Sequence, residues 1–276
     1  MNILYCGDKK VLDGLIISAL SLAKQTKEPL NIFVLTMYLK GYEPIPYESI
    51  EELEKILKKK NPKHSIKLID ITEIFYTEMP KANLSTFFTP YCLLRLYADL
   101  VPELPSKLLY LDIDVVALQD PMKLYRVKND DYEMVGVVDY YGQHWIHSNL
   151  FEKNYMNSGV LLMNLDLIRE TGLLKTTRKK VGRAKMLLPD QTSLNIYAQR
   201  KLLVDRKFNE QKQETSETVF RHFSTTFRFW PVLRTQTIKP WHIDKLHEVL
   251  NCHAFDDILE EYLAVKDKVI KWAEKP

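Results

Sequence analysis

The run Leu108-Leu109-Tyr110-Leu111 leads without a turn residue into Asp112-Ile113-Asp114-Val115-Val116. Four apolar residues of this kind in an α/β context predict a buried strand. In extended chain Asp112 and Asp114 fall on alternate positions and so share one face. Two carboxylates delivered together to the rim of a sheet repel each other unless a cation lies between them. The pair therefore predicts a hard divalent metal site.

Upstream, three more strand signals occur, at Asn2–Cys6, Leu30–Thr36 and Ile66–Ile71. Between them, Val11–Lys24 and Tyr47–Lys60 carry apolar residues at helical spacing, the second stopped by Asn61-Pro62. Pro90–Leu100 opens with a proline suited to a first turn and predicts another helix. This alternation predicts an α/β, Rossmann-like, mainly parallel sheet flanked by helices and joined by right-handed crossovers. Ligands of such sheets lie beyond the carboxyl ends of the strands. Asp8, just past the first strand, should then face the same crevice as Asp112 and Asp114.

Downstream, Met134–Val138 and Gly159–Asn164 predict strands, and Leu165–Gly172 and Pro189–Gln199 predict helices. Ile243–Asn251 and Ile258–Trp272 predict terminal helices. A boundary near Pro240 would divide a catalytic domain over residues 1–240 from a helical segment, 241–276, packed on it.

Composition narrows the function. The 276 residues are 46% hydrophobic and 27% charged, which is ordinary for a globular chain. Thirty-nine basic against thirty-six acidic residues leave a net charge of +3, too balanced for a nucleic-acid binder. Cys6, Cys92 and Cys252 are far apart and form neither a disulfide framework nor a zinc motif. The apolar stretch Gly14–Ala23 is shorter than the ~20 residues that span a bilayer and lacks a basic leader. A cytoplasmic protein is expected, at most peripheral at the inner face of the membrane. The basic cluster Arg178, Lys179, Lys180, Arg183 and Lys185 reads as a solvated helix face, with anionic lipid as its alternative partner.

Two enzyme classes place such an acidic pair after a strand. Asp112 to Val116 matches the D-x-D-x-[TV] string of aspartate-nucleophile phosphohydrolases, with Asp256-Asp257 as a distal acidic pair. In that class, however, the string follows the first strand, whereas three strand signals precede it here. The other class is the nucleotide-sugar glycosyltransferases of the GT-A fold, which use the preceding residues to bind the nucleotide. A non-catalytic carbohydrate-binding protein would not need the intact acidic residues.

Further pieces occur in a fixed order. They are Cys6-Gly7-Asp8, Tyr91-Cys-Leu-Leu-Arg95-Leu, Leu109-Tyr-Leu-Asp112-Ile113-Asp114 and Tyr155-Met-Asn157-Ser158-Gly159-Val160. After them come Asp190-Gln191-Thr-Ser-Leu194-Asn195, His222 and Lys239-Pro240-Trp241. On these the chain resembles a bacterial family 8 glycosyltransferase of the lipooligosaccharide galactosyltransferase type. The resemblance implies a GT-A fold and a retaining, metal-dependent hexosyltransferase. Its donor would be a UDP-sugar carrying galactose or glucose. Its acceptor would be a glycan or lipid-linked oligosaccharide, in cell-surface polysaccharide synthesis.

It also implies roles. Asp112, Asp114 and His222 would hold Mn²⁺, with Mg²⁺ as the substitute and His242 as the fallback ligand. Cys6, Gly7, Asp8, Arg95, Ile113, Asn157, Ser158, Gly159 and Lys239 would bind the donor, and Asp190 and Gln191 would lie at the reacting sugar. A neutral imidazole beside two carboxylates suits Mn²⁺ better than Mg²⁺ or Ca²⁺. Two departures from the family pattern stand out. Lys9, Lys10 and Val11 replace the residues that help hold uracil. An extra stretch carrying Phe227, Phe229 and Trp230 separates His222 from Lys239, and the family glycine there is missing.

Overall fold

In chain order the strands of this computed structural model are β1 (Asn2–Cys6), β2 (Asn31–Thr36), β3 (Ser65–Asp70), β4 (Lys107–Leu111), β5 (Val115–Ala117), β6 (Met134–Gly136), β7 (Val160–Asn164), β8 (Lys201–Leu203), β9 (Phe220–His222), β10 (Thr226–Arg228) and β11 (Arg234–Gln236). The α-helices are α1 (Leu12–Gln25), α2 (Tyr47–Lys60), α3 (Thr72–Thr77), α4 (Met122–Tyr125), α5 (Leu165–Thr171), α6 (Leu173–Arg183), α7 (Pro189–Tyr197), α8 (Ile243–Leu250) and α9 (Asp256–Ile270). The structure describes residues 1–84, 89–140, 154–228 and 234–274.

The main sheet runs β3-β2-β1-β4-β7-β6-β8. Its first four strands are parallel, as the strand–helix alternation predicts. β7 then enters antiparallel to β4, with Val160 opposite Leu111, and β6 lies antiparallel to β7. Strand alternation supplies both faces with core. Ile3, Tyr5, Leu109 and Leu111 join a cluster with α1, α2 and α9, while Leu4, Cys6, Leu108 and Tyr110 join one with α5 and α6. That is why β1 and β4 read as unbroken apolar runs. Each such Leu or Ile contributes roughly 1.5–3 kcal/mol by leaving water.

Pro90–Leu100 is helical with the expected bounds, but winds as a 3₁₀ helix rather than an α-helix. The basic cluster on α6 is split by burial. Lys179, Arg183 and Lys185 are exposed, whereas Arg178 points inward, 3% exposed. There it bonds Glu78, Asp99 and the Leu96 carbonyl. Its charge belongs to the core of that face, neither solvated nor offered to lipid.

The terminal helix α9 lies against α1 and α2, burying Ile258, Leu259, Tyr262 and Val269. Ser49 Oγ donates to the Val269 carbonyl at 2.7 Å, and Lys60 pairs with Glu261 at 2.8 Å. Among the described residues no helix is long and apolar enough to cross a membrane.

Candidate active site

The acidic pair lies where β4 ends. A second, short pairing decides what meets it: β5 runs antiparallel to β9 with Val115 opposite His222. Phe223 N–H donates to the Asp114 carbonyl at 3.0 Å and closes this corner. His222 Nε2 is thereby set 3.3 Å from Asp114 Oδ1 and 3.7 Å from Asp112 Oδ2. These are the three residues that could share one ion here. His242 is not among them; it is exposed at the start of α8 and accepts the Lys239 N–H.

The imidazole is held in one orientation by a line of amides. Gly159 N–H donates to Asn157 Oδ1 at 2.9 Å, so the Asn157 amide must point its NH₂ the other way, to Asp139 Oδ2 at 3.3 Å. Asn157 Oδ1 also accepts from Asn209 Nδ2 at 2.9 Å, which leaves Asn209 Oδ1 to accept from His222 Nδ1–H at 3.1 Å. With Nδ1 committed as the donor, Nε2 is the nitrogen turned to the carboxylates, and its lone pair is the one a metal would take. The space is equally specific. A Cβ on Gly159 would fall 2.2 Å from His222 Cε1 and 2.9 Å from Asp112 Oδ2. The residues present therefore fit a divalent cation in donor set, tautomer and room.

Charge supports the same conclusion. Burial disfavours the Asp114 carboxylate, but the Lys239 ammonium beside it outweighs that and holds its carboxyl far below the usual range. Lys239 Nζ rests on Asp114 Oδ2 and on the Phe223 carbonyl at 3.0 Å. Asp112 accepts from Tyr110 Oη at 2.6 Å and from Arg95 Nη2 at 2.9 Å.

Arg95 is buried, 4% exposed, and all three of its guanidinium nitrogens are engaged by the protein. Nε donates to the Cys92 carbonyl, Nη1 to the Ser158 carbonyl at 2.6 Å, and Nη2 lies 3.3 Å from Asp190 Oδ2. The planar fork thus joins three parts of the expected site, a task a lysine could not perform. Burial raises the Asp190 carboxyl despite that arginine. Gln191, beside it in the first turn of α7, accepts Ser158 N–H with Oε1 at 3.0 Å and donates Nε2 to Asp139 Oδ2 at 2.7 Å.

The remaining expected residues occupy the neighbouring strand end. β1 pairs with β4 as Ile3↔Leu109 and Leu4↔Tyr110, and continuing that register sets Cys6 beside Asp112. Gly7 N–H is used by Leu35 O. Asp8 is buried, its carboxyl raised by that burial, and its Oδ1 caps the turn at Lys10 N–H, 3.1 Å away. Lys9 pairs with Glu43 and Lys10 lies over the Tyr42 ring, so both lysines are turned to protein groups. Ile113 presents its carbonyl to α1 so closely that a Cβ on Gly14 would meet it at 2.6 Å.

Asp139 and Asn209 were not expected from the sequence. Asp139 lies just past β6 and Asn209 before β9, and each carries an unremarkable polar side chain in an irregular stretch. Asp139 lies between Val138 and Tyr140, whereas Asn209 lies between Phe208 and Glu210, so they share no sequence signal, and only the structure shows both to be buried. The extra stretch after His222 forms β10 and β11, an antiparallel ribbon with Thr226 opposite Gln236. Thr225 and Thr237 bond across its base at 3.0 Å, so Lys239 returns beside His222 despite the added residues. Phe229 and Trp230 of that stretch lie outside the described residues.

A largely parallel seven-strand sheet flanked by helices is the fold of a GT-A glycosyltransferase, and comparisons with known proteins agree. The family model described as Glycosyl transferase family 8 matches residues 2–243. The chain belongs to that family and is a glycosyltransferase. Among solved structures it is similar to galactosyltransferase LgtC in complex with donor and acceptor sugar analogs, with TM-score 0.68, 17% identity and 96% of each chain covered. It is also similar to a structure of an active-site Gln-to-Glu mutant of LgtC, with TM-score 0.68 and 16% identity, again over 96% of each chain. A curated chain of Haemophilus influenzae is 21% identical over 287 residues, covering 99% of this chain and 82% of that one. The phosphohydrolase alternative is not favoured. Asp112 follows the fourth strand rather than the first, and Asp256 and Asp257 are engaged by His247, His253 and Lys24 instead.

Proposed function

We propose that this glycosyltransferase transfers a hexose, galactose or glucose, from a UDP-sugar to a glycan or lipid-linked oligosaccharide with retention of configuration. The observation that carries the reading is the convergence of Asp112, Asp114 and His222, with the imidazole tautomer set by Asn209. A divalent cation bound there, Mn²⁺ before Mg²⁺ on the donor set, would supply Lewis-acid charge for a departing diphosphate. Lys239, already beside Asp114, adds a second positive charge on that side.

The other residues act directly. Asp8 has carboxylate capacity to accept a base N–H at the end of β1, flanked by Cys6 and Gly7. Arg95 and Asp190 fix the Ser158 carbonyl and Asp112 relative to each other, so the sugar meets one rigid wall. Asn157, Ser158, Gly159 and the backbone of Ile113 complete that wall. Asp190 is committed to Arg95, and Asp139 to Gln191 and Asn157. Neither carboxylate is poised as a nucleophile, which favours attack by the acceptor hydroxyl on the face the diphosphate leaves. In this reading residues 1–240 form the catalytic unit and 241–276 buttress α1.

UDP release from a panel of UDP-sugars, with and without Mn²⁺, tests the proposal. Metal-dependent release from one hexose donor, lost in Asp114→Ala, is expected. Release that ignores metal, or an inverted product, would refute it.

A further inference from the structure

A second cluster of ligating side chains lies away from Asp112, Asp114 and His222. His247, in the last turn of α8, places Nε2 2.8 Å from Asp256 Oδ1. His253 places Nδ1 2.8 Å from Asp256 Oδ2, and the two imidazoles stack with centroids 4.4 Å apart. One atom from each of the three residues falls within 4.8 Å of the others.

The backbone builds this arrangement. Asn251 ends α8 in the left-handed region at φ 47°, which reverses the chain toward α9. Cys252 and Phe255 then anchor the connection, 2% and 1% exposed, with Phe255 against the Phe223 ring at 5.6 Å. His253 and Asp256 are therefore held by their buried neighbours, and His247 by its helix. Little ordering is left for a ligand to impose.

We propose that His247 Nε2, His253 Nδ1 and Asp256 form a zinc-class metal site that clips the end of α8 to the start of α9. Two imidazoles and one carboxylate suit Zn²⁺ and its neighbours rather than Mg²⁺ or Ca²⁺. Tetrahedral bonds of about 2.0–2.2 Å set ligand atoms roughly 3.3 Å apart. The present 2.8 Å contacts run to the two different oxygens of Asp256, so admitting the ion takes an opening of about half an ångström and a turn of the stacked rings toward one point. Each neutral ring then carries its proton on the other nitrogen, and water fills the fourth position. His253 is 55% exposed, so an ion has access. The site is independent of the glycosyltransferase reading, and its loss leaves the Asp112 cluster untouched.

The experiment uses the whole chain stripped with a chelator. Zn²⁺ binding is measured by equilibrium dialysis, and Tm is followed with Zn²⁺ added. Because the Asp112 cluster also attracts divalent ions, Asp114→Asn serves as the background. One Zn²⁺ per chain is expected in Asp114→Asn and none in Asp114→Asn with His253→Ala. Zn²⁺ at about a hundred times its Kd should raise the Tm of the first by roughly 5 °C and leave the second unmoved. A folded Asp114→Asn chain that binds no Zn²⁺ would overturn the proposal and leave the trio as a hydrogen-bonded clasp. So would an equivalent of Zn²⁺ retained after His253→Ala. Should His253→Ala prove unstable, His247→Gln makes the same comparison.

Discussion

Asn209→Ala isolates the orienting bond from the ligands themselves. The substitution removes the acceptor of His222 Nδ1–H at 3.1 Å and the donor to Asn157 Oδ1, but no atom that faces the cation. Asn157 Oδ1 keeps the Gly159 N–H, so its side of the line stays satisfied. His222, 3% exposed, is left with a buried unpaired N–H, which costs about 1–3 kcal/mol. The ring can escape that cost by taking the other tautomer or rotating, and either removes the Nε2 lone pair from Asp112 and Asp114. Losing such an outer partner typically weakens metal binding 10–100-fold, or about 1.4–2.8 kcal/mol. Free Mn²⁺ can be followed by electron paramagnetic resonance during titration of wild type, Asn209→Ala and Asn209→Asp. Asn209→Asp keeps an acceptor for Nδ1–H, so its affinity should lie nearer wild type than that of Asn209→Ala. Wild-type Mn²⁺ affinity in Asn209→Ala, alongside a large loss in His222→Ala, would refute the argument that the amide line sets the tautomer.

Two further outcomes follow from the same structure. Gly159→Ala must push a Cβ against His222 Cε1 at 2.2 Å, so it should cost about 1–3 kcal/mol by overpacking and lower Mn²⁺ affinity as well; denaturant unfolding and the same titration check both, and an unchanged pair would show that the corner yields. His64 is buried and accepts the Leu30 N–H at Nδ1, 3.0 Å away, so burial holds its pKa below the ordinary histidine value. The unfolded chain therefore takes up the proton first, and stability should be full above about pH 6.5 and fall below it, by at most ~1.4 kcal/mol per pH unit. Urea unfolding at pH 7 and pH 5.5 should show a shallower fall in His64→Gln; equal slopes would exclude His64 as the source.

Local pattern was enough for most elements. β1, α2 and the end of β4 follow from apolar period and stop residues, because strands buried on both faces and amphipathic helices write their surroundings into neighbouring positions. Asp112 and Asp114 were legible for the same reason, being carried by the strand that delivers them. Other features depend on partners far along the chain. His222 reaches Asp114 only because β9 pairs with β5, and Lys239 only because β10 and β11 return the chain to its starting point. Arg178 looks like one more surface cation until Glu78 and Asp99 close over it. Asp139 and Asn209 carry no periodic signal, since a buried polar residue is defined by the donors and acceptors that other segments bring to it. Sequence alone determined the principal strands and helices and which carboxylates reach the rim of the sheet, but not the short strands β5 and β8–β11. Tertiary structure decided which histidine faces them, in which tautomer and with how much room, because those properties are set by contacts between residues that sequence proximity does not relate.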